Sequence, residues 1–185
     1  MQLRQHSDLR SEGKHPEGTK TMMGILLAAG LLFPTVQGEN LSGRQMVLPK
    51  DFEGKANIVI VAFQREQQLL VNSWIPVIQQ LEKKYPEIHF YELPTISTGY
   101  RLMKWIIDNG MRSGIKDTKT RDHTITLFTD TKKFRKGLEL PTDETIYIML
   151  VDSLGTVRWK SSGSMTPMSA ALLSTAADEL LSKRE

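Results

Sequence analysis

Cysteine is absent from the 185 residues of this chain. That excludes a thiol nucleophile, disulfides, an iron–sulfur cluster and any zinc site built on thiolate. An excess of one charge is missing too. The 24 Lys and Arg against 21 Asp and Glu leave +3, with both signs mixed along the chain, so no nucleic-acid footprint is present. No apolar run approaches the ~20 residues of a spanning helix. A glycine-rich phosphate loop and a Gly-x-Ser-x-Gly elbow are likewise missing. What remains is ordinary globular material, 39% hydrophobic and 24% charged, in a length that suits one domain plus a tail.

The tail is N-terminal. Residues 1–21 are polar, carry both charge signs and show no apolar period, as a disordered leader would. Met22–Phe33 (MMGILLAAGLLF) follows Lys20 and stops at Pro34, with Val36 and Gly38 at the minus-three and minus-one positions of a cleavage site. This is the grammar of a signal peptide, or of a membrane anchor if it is retained, over 22–38. A linker over 39–47 and a folded domain over 48–185 complete the expected organisation. The implied address is export, periplasmic or otherwise extracytoplasmic.

Within the domain, strands and helices alternate. Asn57–Phe63 (NIVIVAF) is a β-branched run without polar interruption, the pattern of a strand buried on both faces. Glu66–Tyr85 places Leu69, Leu70, Trp74, Val77, Ile78 and Leu81 on one helix face, with Pro76 inside it. Glu87–Leu93 reads as a strand, Gly99–Asn109 as a helix and Met111–His123 as a basic loop. Thr124–Phe128 and Thr145–Val151 read as strands on either side of a short helix over Thr131–Gly137. Asp152–Gly155 is a hairpin turn into Thr156–Lys160, whose alternation sets Val157 and Trp159 on one face and Arg158 on the other. An amphipathic helix over Thr166–Leu181 ends the chain. The order predicts an α/β fold: a central mixed sheet flanked by helices, with a terminal antiparallel hairpin and a C-terminal helix.

Residues able to do chemistry are few. His89 and His123 are the histidines outside the leader, and Asp122 and Glu87 are the carboxylates nearest to them in sequence. Their spacing matches no metal motif, so no metal and no cofactor are assigned. Ser73, His123 and Asp152 lack the setting of a nucleophile triad. Asp51 with Glu53, and Asp143 with Glu144, fall in turns, where solvation explains them. Arg112, Lys116, Lys119, Arg121, Lys132, Lys133, Arg135 and Lys136 form the densest charge cluster, suited to an acidic partner or an anionic membrane surface. Arg158 with Trp159 is the best exposed recognition pair, because Arg and Trp are enriched in binding hot spots.

Gly54-Lys55, a strand ending in Phe63 and a helix broken by Pro76 resemble the thioredoxin-like families, especially the exported TlpA and redoxin branch. The resemblance implies an active-site loop in which two cysteines would fall on Gln68 and Val71. Neither residue forms a thiolate, so the implied redox activity is excluded. The loop Gln64–Leu70 keeps the former active-site position, and Gln68 and Leu69 become candidate peptide-binding residues.

The C-terminal half, Ile146 to Trp159 with Asp152, Gly155 and then Gly163, is similar to the signature of the mitochondrial ATP synthase assembly factors known as ATPase-complex subunit ten. Asn72-Ser73-Trp74 and the basic stretch around Arg112 and Arg121 sit where that family has a Trp-bearing helix and an arginine-rich loop. The resemblance implies a non-catalytic chaperone with a protein partner in the membrane, and a mitochondrial inner-membrane location as the alternative address. The rival expectation is an exported redoxin-like protein that has lost its thiol activity or binds a small ligand.

Overall fold

The computed structural model describes residues 30–182. The strands are β1 (Val36–Asn40), β2 (Gln45–Leu48), β3 (Ala56–Ala62), β4 (Ile88–Ser97), β5 (Ile125–Thr129), β6 (Tyr147–Asp152) and β7 (Val157–Ser162). They form one seven-stranded sheet in the order β2-β1-β5-β4-β3-β6-β7. β3, β4 and β5 run parallel, and β6 is antiparallel to β3. The helices are α1 (Gln68–Lys84), α2 (Lys104–Gly114), α3 (Thr118–His123), α4 (Thr131–Gly137) and α5 (Pro167–Ser182).

β3 and β6 lie inside the sheet, and every residue of both is buried. Apart from Asn57 and Asp152, their apolar sequences are what a strand covered on both faces requires. Alternation then sorts the core into two layers. Ile58, Ile60, Ile148 and Leu150 meet α1 and α5 through Val71, Trp74, Ile78, Leu81, Leu173 and Ala177. Val59, Val61, Tyr91, Leu93 and Met149 meet Phe33 and, from α4, Phe134, with Leu138 just beyond it. Trp74 is fully buried, and its indole Nε1–H donates to the Gly163 carbonyl at 2.9 Å, so the ring is buried without stranding its polar atom.

Three expectations need correction. First, the expected linker, 39–47, is folded: β1 pairs with β2 and, on its other side, with β5. The fold also reaches back into the segment expected to be a signal peptide. Phe33 is 3% exposed against Phe52 and Phe134, its N–H donates to Gly155, and Leu31 accepts from Val157. At Gly38, the expected cleavage position, a Cβ would lie 2.8 Å from the Thr126 carbonyl; glycine is there for close strand packing. The earlier part of the expected signal, 22–29, and the leader lie outside the described residues.

Second, Met111–His123 is not a loop. Its residues continue α2 to Gly114 and form α3, whose first turn is capped by Asp117 accepting from the Thr120 N–H at 2.7 Å. Third, Val157 and Trp159 do not share a face. Leu150 opposes Trp159 while Val151 opposes Val157, so Arg158 is the extra residue of a bulge, and a bulge re-aims its neighbours. Val157 joins one core layer and Trp159 the other.

Candidate functional site

β3 and β4 are parallel neighbours, so the segments that follow them leave from the same end of the sheet. This carboxyl end is where open α/β sheets place their ligands. β3 leads into a loop and a 3-10 turn, Arg65–Gln67, before α1. β4 leads into a second 3-10 stretch, Thr98–Met103, before α2.

The first loop is held by one side chain. Gln67 is buried; its Oε1 accepts from the Phe63 N–H at 2.8 Å and its Nε2 donates to the Asp143 carbonyl at 2.8 Å. An amide thus ties the loop after β3 to the segment ahead of β6. Gln68 is exposed, whereas Val71 is buried in the core; of the two positions where thiols were sought, only the first meets solvent. Beneath Gln68, burial pushes the Glu92 carboxyl up, and a hydrogen bond from Gln68 partly offsets this.

On the segments that follow β3 and β4, large apolar side chains are exposed among polar ones such as Gln64, Arg65, Glu66 and Arg101. Leu69 is 79% exposed, Leu102 is 93% exposed, and Tyr100, Met103 and Ile106 are exposed as well. A cleft of about 180 Å³ runs between Phe63, Ile96, Tyr100 and Asp143. Exposed apolar side chains scattered singly are ordinary. Here they stand on the segments that follow two neighbouring strands at one sheet end, with Tyr100, Leu102, Met103 and Ile106 within seven residues of one another in sequence, and exposed apolar groups so grouped suit contact with another apolar surface.

The structure does not bring the other expected site residues into that patch. Arg121 is structural: Nε donates to the Ile115 carbonyl at 2.6 Å and Nη2 to the Arg112 carbonyl at 3.0 Å, closing the α2–α3 turn. Arg112 is half-buried on the same turn, leaving Lys116 and Lys119 beside it and Lys132, Lys133 and Lys136 of α4 as the exposed part of that charge. Trp159 is half-buried edge-on to Trp74, with ring centroids 6.1 Å apart. Arg158 pairs with Asp152 at 2.7 Å. The pair expected to be free for recognition is therefore engaged within the fold.

Asp152, Gly155 and Gly163 do hold the hairpin. The buried Asp152 carboxylate accepts from the Leu154 and Thr156 N–H groups at 2.9 and 2.8 Å and from Arg158 Nε at 2.8 Å. Burial alone would raise its pKa; the Thr156 amide, Arg158 and the Leu154 amide outweigh it and hold the carboxyl below its usual range. Gly155 sits at φ +81°, where a Cβ would also meet Pro49 at 2.6 Å.

Ser73, His123 and Asp152 form no triad: the Ser73 hydroxyl donates to Leu70 and accepts from Met165. His89 and His123 do meet, with ring centroids 5.6 Å apart. Their nearest carboxylate is Glu53, not Asp122 or Glu87. Sequence reasoning also missed Tyr100, Leu102 and Ile106. The available signal was an apolar cluster beginning just after Gly99, in the segment expected to be a helix.

The fold defines a thioredoxin-like protein without cysteine. Residues 26–180 match the ATP10 protein family, and the chain belongs to that family. BsSco, a member of the Sco family of cytochrome c oxidase assembly proteins, superposes with a TM-score of 0.55 at 10% identity, over 80% of this chain and 95% of its own. A SCO1/SenC family lipoprotein from Bacillus anthracis gives 0.54 at 18% identity, over 84% and 99%. The exposed lipoprotein thioredoxin Etrx1 from Streptococcus pneumoniae gives 0.52 at 14%, over 78% and 99%. At these identities the likeness is one of fold. No curated protein sequence matches the chain significantly. Among the described residues, no helix is long and apolar enough to cross a membrane.

Proposed function

We propose that this chain is a non-catalytic assembly factor that docks an apolar segment of an ATP synthase membrane subunit on the carboxyl end of its sheet, at the mitochondrial inner membrane. The carrying observation is a set of exposed apolar side chains, Leu69, Tyr100, Leu102 and Ile106, on the segments that follow β3 and β4. Membership of the ATP10 family supports the choice of partner. Burial of Phe33 supports a targeting segment that ends before Gly30 rather than at Gly38.

Photo-crosslinking in the native cell, from probes at Leu69 and Leu102 with a probe at Thr175 of α5 as control, tests the reading. Membrane subunits of the ATP synthase are the expected adducts at the first two positions and not at the third. Adducts confined to other proteins, or equal at all three positions, would retire the function and leave the fold intact. The purified protein is expected to reduce neither insulin nor peroxide above a boiled control; measurable turnover would overturn the non-catalytic part.

A further inference from the structure

We propose that Glu53, His89 and His123 form a binding site for a divalent transition-metal ion of the zinc class at the amino end of the sheet. Three separate elements bring them together: the turn ahead of β3, the start of β4 and the end of α3. One potential ligand atom from each lies within 4.8 Å of the other two. Two imidazoles and a carboxylate are the donor set of an open, three-ligand zinc site.

The surroundings position these groups. The His123 ring packs on Tyr91 at 4.9 Å, and the Tyr91 hydroxyl accepts from the Glu53 N–H at 3.0 Å. One tyrosine thereby braces two of the three ligands. Arg44 Nη1 donates to Glu53 Oε1 at 2.7 Å, which orients the carboxylate and leaves Oε2 for a cation, as outer partners of metal ligands do. His89 Nδ1 is buried without a hydrogen-bond partner among the described residues. Leaving such an atom unpaired is costly, and coordination of the ion through Nδ1 would satisfy it.

Burial first, then the neighbouring His89, holds His123 below its usual pKa. A cleft of about 240 Å³, bordered by Arg44, Met46, Tyr91 and Asp122, gives room for a fourth ligand. Ligands around a tetrahedral zinc stand about 3.4 Å apart, and the exposed Glu53 can move to close the difference. The mixed nitrogen and oxygen donors favour Zn²⁺, Co²⁺ or Ni²⁺ over Mg²⁺ and Ca²⁺, which prefer oxygen alone.

The test is titration of the chelator-treated full chain with Zn²⁺ by calorimetry and with Co²⁺ by visible absorption. His6 and His15 of the leader are the competing ligands, so a His6→Ala/His15→Ala variant serves as the reference. One equivalent is expected to bind that variant as tightly as the native chain. His89→Ala and His123→Ala should each weaken binding at least tenfold, and Glu53→Gln several-fold. Mg²⁺ should not compete. If a histidine variant does not fold, imidazole NMR of the native chain decides, because Zn²⁺ should move the His89 and His123 resonances and leave those of His6 and His15 in place. Binding that follows His6 and His15, or that survives His89→Ala within about twofold, would overturn the site.

Discussion

At the amino end of β3, polar side chains are buried and tied into backbone. Asp152 takes two N–H groups and Arg158, and Asn57 exchanges hydrogen bonds with Gly54 at 2.9 Å each way. At the carboxyl end the order is reversed: a polar clamp, Gln67, is hidden, and apolar side chains stand in solvent. Around Asp152 and Asn57 the amino end uses its polar groups to hold strands together. The carboxyl end leaves apolar side chains at its surface, as the proposed docking requires.

Breaking the amino end should therefore cost the most stability. Asp152→Ala removes the acceptor for three donors in a buried turn, and a loss of about 3–5 kcal/mol is expected in denaturant unfolding. Arg158→Ala should cost less, about 1–2 kcal/mol, because Arg158 is half exposed and water replaces part of its partner. The pH dependence follows from the depressed Asp152 pKa. The unfolded carboxyl titrates near its ordinary value of 3.8 and the folded one lower, so the contribution is complete above that value. It is lost as pH falls through the folded pKa. Asp152→Asn should flatten this acid limb; an unchanged acid limb would mean that other carboxylates carry it.

The next largest effect is at Phe33. Its ring packs edge-on to Phe52 at 5.6 Å and to Phe134 at 6.0 Å in a site with 3% exposure. Phe33→Ala is expected to cost about 3–5 kcal/mol. A chain begun at Glu39 loses this ring and half of β1 together, and should unfold at lower denaturant than one begun at Gly30. Equal midpoints would return the segment up to Gly38 to the role of a removable signal.

How much of this was legible in sequence differs between the same two ends. β3 and β6 were readable because burial on both faces leaves an unbroken apolar run, and α4 because Asp130 and Gly137 bracket it. β1 and β2 were not: they are short and half polar, β1 is paired to a distant strand, β5, and the apolar run ahead of them ends in residues that fold with the domain. The bulge at Arg158 was invisible because regular alternation and alternation with one extra residue look alike over six positions. At the carboxyl end, spacing from Phe63 to Pro76 located the loop, whereas the exposure of Leu102 and Ile106 was not legible because an apolar residue in a helical segment gives no sign of which face it takes. Glu53 could not be found at all, since its meeting with His89 and His123 is made only by the sheet.

Leu102→Glu and Ile106→Glu sharpen the comparison where stability should change least. Leu102 is 93% exposed and Ile106 48% exposed, so a charge there removes little burial, and unfolding midpoints should stay within about 0.5 kcal/mol of the native chain. Docking should respond in the opposite sense, because a carboxylate facing an apolar segment must be desolvated without a partner. Crosslinking from Leu69 in a Leu102→Glu/Ile106→Glu background is expected to fall at least tenfold, while Lys132→Glu on α4 should leave it unchanged. A stable double variant that still crosslinks at the native level would mean that the exposed apolar surface is incidental and that the partner is held elsewhere.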